Sequence, residues 1–333
     1  MLLNENDLKI YREELTPRLP GKILDAHVHA WDKDAFPEDF HFAPRSCFLR
    51  FGGTFTLKQF HELMEEMLPE QQVNCNCFGQ PSTKAKREVV PTVGRRQGDS
   101  VNVLLSPADP AEVLEERIVQ SGAVGVKPYL SYAAEHLGKP KGEVEINDML
   151  TPDQLSMLNR RKLTVTLHIP RPGRFEDPLN QRQMRALCEN YPEVRFIFAH
   201  IGRAYHFSCI RNSNLEELAR FPNAYFDTAM VNHKEVLKYT FDHFPPERIL
   251  FGTDAPVSML RGKSVEINNQ YAYLMGEPYT IGTSIHDTAH AVQFTTFYYE
   301  QLRAMRYNGE WRVRLDGEGW LESYIPGLTV IFR

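Results

Sequence analysis

The feature that most limits what this chain can fold into is a repeated alternation. Eight short apolar runs are each followed by a polar loop, and most of them then by a helix-like stretch. The runs are ILDAHVH (23–29), VNCNCFG (73–79), VNVLLS (101–106), VGVKPYL (124–130), LTVTLHI (163–169), VRFIFAH (194–200), NAYFDTA (223–229) and RILFGTD (248–254). Helix-like segments lie at 56–70, 109–122, 151–161, 180–192, 212–221 and 233–245. Thr151-Pro152 and Asp109-Pro110 read as N-cap and first-turn pairs that mark helix starts. Eight strand-then-helix units in about 230 residues predict a (β/α)8 (TIM) barrel rather than an open doubly wound sheet. The barrel is predicted over 23–306 as a single domain, with residues 1–22 as a helical N-terminal extension. Residues 283–306 read as a long amphipathic helix that closes the barrel, and 307–333 as a tail packed on it.

The first run, GKILDAHVHAWD (21–32), carries polar groups where a buried strand wants apolar ones. Asp25, His27 and His29 alternate, so an unbroken strand would point all three to one face. Burying them without partners costs several kcal/mol. A metal ion or a set of core hydrogen bonds must therefore satisfy them. The other runs weigh on the choice: His168 closes the fifth, His200 the sixth and Asp254 the eighth. Barrel active sites sit at the C-terminal ends of the strands, so these positions converge on one mouth. Neutral imidazoles and a carboxylate without thiolate suit Zn²⁺, and also Mn²⁺ or Fe²⁺.

The pieces DAHVH, TLHIP, FIFAHIGR and FGTDAP, over about residues 21–260, resemble the amidohydrolase superfamily. Within it they are similar to the amidohydrolase-related (amidohydrolase 2) group of metal-dependent hydrolases, lactonases and nonoxidative decarboxylases. The resemblance implies that His27, His29, His168 and Asp254 ligate one divalent ion, with His200 beside the water it binds. Asp25 is then either a partner of the ligands or a structural acceptor. Such an ion brings the pKa of its water toward ~7. Asp254 is expected to take the proton of that water, and His200 to polarise the substrate carbonyl or pass the proton on.

Lys127 ends the fourth run, with Tyr129 two residues on. In related binuclear enzymes a lysine there is carbamylated and bridges two metals; a cation for a substrate carboxylate and a solvated strand end are the other readings. Arg171 and Arg203 follow the fifth and sixth runs, as does Arg174, and an arginine fork suits an anionic substrate. Lys127, Tyr129, Arg171 and Arg203 are the expected substrate contacts. Cys75 and Cys77 read as small hydrophobes, His286 and His290 as helix-surface residues, and His41, His206 and His233 as loop residues.

A net charge of −5 with scattered Lys and Arg gives no footprint for nucleic acid. No apolar stretch reaches the length of a membrane span. The N-terminus is acidic where a secretion signal is basic, and five cysteines make no disulfide framework. A cytoplasmic protein acting on a small molecule is expected, with a homo-oligomer left open. The predicted reaction is hydrolysis of a C–O or C–N bond in a lactone, ester or amide. The alternative is nonoxidative decarboxylation of a small unsaturated or aromatic carboxylate. A binding barrel without catalysis is the third class.

Overall fold

A computed structural model describes residues 3–307, 310 and 311. Eight parallel strands lie side by side in sequence order: β1 Lys22–His29, β2 Gln72–Phe78, β3 Ser100–Leu105, β4 Gly125–Pro128, β5 Thr164–Leu167, β6 Arg195–Phe198, β7 Ala224–Asp227 and β8 Ile249–Leu250. The strands fall on the eight apolar runs: β1, β2 and β3 begin one residue earlier, and the later ones are shortened at their ends. β8 is only two residues long, and β1 meets the chain beyond it. There Ala26 N–H donates to Phe251 O, Asp254 N–H to His27 O and His29 N–H to Ala255 O, each at 2.8 Å. The ring is a (β/α)8 barrel.

Helices lie on the outside because their apolar residues recur on one face. Leu57–Met67 buries Leu57, Phe60, His61, Met64 and Met67, and starts at a capping box between Thr56 and Gln59. Pro152–Arg160 starts the same way, with Thr151 and Gln154 exchanging bonds and proline in the first turn. The Asp109-Pro110 pair does not cap. That helix begins at Ala111, while the Asp109 carboxylate accepts from Arg87 and from Ser106 N–H instead. One core fills the space between strands and helices, and a smaller cluster of Leu24, Ala26, Ile197 and Leu250 plugs the barrel interior. All five cysteines are free and buried.

The region after β8 differs from the sequence expectation. Instead of a helix over 283–306, the chain forms a small sheet of β9 Gly262–Ile267, β10 Gln270–Met275 and β11 Ser284–His286. Asn268 and Asn269, both at positive φ, make the two-residue turn between β9 and β10. β11 pairs with β10, and the helix runs only from Phe297 to Met305, where Thr296 first supplies a cap. His286 therefore lies on a strand and His290 in a turn, not on a helix surface.

At the N-terminus, helical turns cover Glu5–Arg18. Buried Asp7 binds Arg261 and Thr295, and Glu14 pairs with Arg303 at 2.9 Å, so this segment ties to both ends of the β9–β11 insertion and to the last helix. The tail expected at 307–333 lies outside the described residues except for 307, 310 and 311. Among the described residues no helix is long and apolar enough to cross a membrane.

Candidate metal centre

β1 does not keep strict alternation. Asp25 pairs with Cys75 and Val28 with Cys77, so two residues, Ala26 and His27, stand opposite Asn76 alone. This bulge sends Asp25 to the outer side with Cys75, where it accepts from His27 N–H, Thr253 N–H and Thr253 Oγ1. Burial, opposed by those bonds, pushes its pKa up to about 7. The expectation that Asp25 shares a face with the histidines is thereby corrected: it is a structural acceptor. His27 and His29 face the barrel mouth.

Around that mouth the imidazoles are oriented by their far nitrogens. His27 Nδ1 lies 2.8 Å from Asp227 Oδ2, His29 Nδ1 2.9 Å from Gly79 O, and His200 Nδ1 2.8 Å from Ala229 O. Every one of these partners is an acceptor, so each Nδ1 carries the proton and each Nε2 presents a lone pair. Burial lowers the pKa of all three, keeping them neutral; for His29 it falls to about 3. Asp254 Oδ1 is 3.6 Å from His27 Nε2 and 3.5 Å from His29 Nε2. Ligand atoms of His27, His29 and Asp254 lie within 4.8 Å of one another, as do those of His27, His200 and Asp227.

His168 follows β5 directly, its ring centroid 5.3 Å from His200 and 5.3 Å from Tyr129. It falls in neither cluster, and its buried Nδ1 has no hydrogen-bond partner. Lys127 is fully buried, with Nζ 3.2 Å from His27 Nε2 and 4.7 Å from the centre of the Phe78 ring. Burial disfavours its charge and that of Asp254 alike, moving the lysine pKa down and the aspartate pKa up.

The two arginines are placed differently. Arg203 Nη1 donates to Ile169 O, Pro170 O and Arg171 O, stitching down the loop after β5, while its charge reaches His168. Arg171 is engaged by Asp177, the cap of the next helix, at 2.9 Å. Of the expected substrate contacts, Lys127 and Tyr129 border the imidazoles, Arg203 is engaged by the carbonyls of the loop after β5, and Arg171 is committed to Asp177. His206 pairs with Ser208 and Cys209, and His233 with Glu235 and Glu266.

His200 is presented by unusual backbone. His200, Ile201, Gly202 and Arg203 all have φ between 51° and 62°, a full left-handed turn closed by Ala204 N–H on His200 O and Ile201 O. Left-handed backbone costs about 1–2 kcal/mol per non-glycine residue. The surroundings must hold it. Asp227 does so in part, accepting His200 N–H at 2.8 Å, and it is the site residue that sequence reasoning missed. The signal was there: Asp227 ends the seventh strand, as His29 ends the first.

The donor set fits a divalent cation. Lone pairs of neutral imidazoles converge with a carboxylate on one point, and their outer nitrogens are already anchored. A family model described as "Amidohydrolase" matches residues 24–274. No curated protein matches the chain. Among solved structures, 4-oxalomesaconate hydratase from Rhodopseudomonas palustris is similar at 16% identity, covering 72% of this chain and 83% of its own, with a TM-score of 0.47. An amidohydrolase 2 from Bifidobacterium longum subsp. infantis is 16% identical over 71% and 85% of the two chains, with a TM-score of 0.44. A dihydroxybenzoic acid decarboxylase from a Polaromonas species, with bound manganese, is 13% identical over 71% and 86%, with a TM-score of 0.43.

Proposed function

The chain belongs to the amidohydrolase family, and on that premise we propose that it is a metal-dependent hydrolase of a C–O or C–N bond in a small anionic substrate. The observation that carries the reading is the convergence of anchored, neutral imidazoles on the Asp254 carboxylate. His27, His29 and Asp254 would hold one divalent ion, Zn²⁺ by donor type with Mn²⁺ and Fe²⁺ also suited, and His168, at the end of β5 beside His200, would reach it from across the barrel mouth. When bound, such an ion supplies Lewis acidity and makes water a nucleophile at neutral pH.

The protein's own groups would do the rest. Asp254, the most open of the clustered acids with its side chain 20% exposed, accepts the proton of the attacking water. His200 donates from Nδ1 to Ala229 O, so its Nε2 is a proton acceptor; passing the proton on fits this tautomer, whereas polarising a carbonyl does not. The buried Lys127 ammonium is placed to hold a substrate carboxylate or oxyanion.

That same ammonium favours a second reading, decarboxylation, because it pins a carboxylate beside the imidazoles. Metal analysis of the purified protein, followed by a panel of lactones, esters, amides and aromatic carboxylates, tests both. Hydrolysis predicts metal-dependent acid release without CO₂. CO₂ release from the carboxylates alone would replace it with the second reading, and a protein that neither binds a divalent ion nor turns over the panel overturns both.

A further inference from the structure

Asp227 joins two parts of the centre that come from different strands. It is the last residue of β7 and fully buried. Oδ2 accepts from His27 Nδ1 at 2.8 Å, while Oδ1 accepts from His200 N–H at 2.8 Å and from Ala229 N–H at 3.1 Å. The first bond fixes the tautomer and ring plane of His27. The second anchors the entry to the left-handed turn His200–Arg203, and the third fixes the residue whose carbonyl receives His200 Nδ1. Both imidazoles thus take their aim from one carboxylate, and their rings lie 4.9 Å apart.

We infer that Asp227 is a positioning residue that keeps the proton of His27 on Nδ1, leaves Nε2 unprotonated, its lone pair facing Lys127 Nζ at 3.2 Å and available to a cation, and holds the turn that presents His200. The alternative tautomer would put a proton on Nε2 and close that nitrogen, the one 3.6 Å from Asp254 Oδ1, to a metal. Local sterics oppose the turn at His200, Ile201 and Arg203, and only Gly202 adopts its positive φ without cost. The turn contains a buried, β-branched Ile201, and a side chain at Gly202 would meet Phe175 at 2.6 Å. The inference deepens the metal-centre reading in its consequence for affinity. The tautomer itself stands apart from that reading.

The test uses the full chain, metal-free and labelled with ¹⁵N-histidine. Long-range ¹H–¹⁵N correlation of the imidazoles, with the His27→Gln spectrum as assignment, is expected to show His27 protonated on Nδ1 and bare on Nε2. In Asp227→Asn the amide oxygen stays with the His200 and Ala229 N–H groups, and the NH₂ turns to His27 Nδ1 as a donor. His27 is then expected to move its proton to Nε2, and affinity for zinc alone, read by chelator competition, to fall about 10–100-fold. A merely structural carboxylate would leave the tautomer unmoved. A wild-type His27 protonated on Nε2 overturns the inference even if the variant fails to fold. So does a folded variant that keeps Nδ1–H, or one that swaps tautomer without losing zinc affinity. A wild-type protein with the expected tautomer that binds no zinc instead removes the metal-centre reading and leaves the role of Asp227 in place.

Discussion

At the scale of single residues, the proposed function separates groups that would hold the metal from groups that would react. His200 has its Nδ1 committed to Ala229 O and its backbone to Asp227, so its remaining nitrogen is free for proton transfer. His200→Ala should keep the metal and lose roughly 10²–10⁴-fold in kcat, the scale of a positioned acid–base group. Asp254→Ala should lose metal and turnover together, because its oxygen sits 3.6 Å and 3.5 Å from the two β1 imidazoles. Metal content and turnover of the two variants decide between them. If the first empties the site and the second leaves it full, the roles are reversed. Asp227 shows what a residue-by-residue reading overlooks: its run was identified as a strand, but a carboxylate among Phe and Thr drew no attention without its partners.

Among elements, the close packing of neighbouring strands sets the tightest demands. Gly125 of β4 faces β5 so closely that an added Cβ would lie 2.0 Å from Thr164 Oγ1 and 2.5 Å from Thr164 O. Gly125→Ala should destabilise the barrel by at least about 1–3 kcal/mol, the usual cost of overpacking, seen as a lower urea midpoint with unchanged slope. An unchanged midpoint would show that β4 and β5 can part. The eight strands were legible because apolar runs with polar ends survive in the sequence. The bulge at Ala26–His27 was not: it changes the face of Asp25 without changing any residue type. The stretch 283–306 misled because its apolar spacing fits a helix, whereas only Thr296 supplies a cap. The missed hairpin had a signal in Asn268-Asn269. Arg171 and Arg203 could not be sorted in advance, since Asp177 and the carbonyls that claim them are brought close only by folding.

For the whole molecule, stability and the centre are largely separate. The main core lies between strands and helices, and the site occupies the strand ends. Changing His27 and His29 together to Ala should abolish metal binding while the protein stays folded by circular dichroism. Metal at 100 times its Kd would add about 2.7 kcal/mol to wild-type stability. A chelator should therefore lower the wild-type Tm and leave the double variant unmoved; an equal drop in both would rule out a centre at these residues.

The place where β1 meets the chain after β8 has a consequence for the protein's birth. The groups that face each other there are far apart in the chain, Asp25 and Thr253 being 228 positions distant. A ribosome adding about 5–20 residues each second makes His27 and His29 roughly 10–50 s before Asp254 exists. Until then the nascent chain can offer a cation its two histidines but not the carboxylate, nor the neighbouring strands that orient the rings. On the proposed ligand set, a complete site therefore exists only in a chain whose eighth strand has left the ribosome and docked against the first.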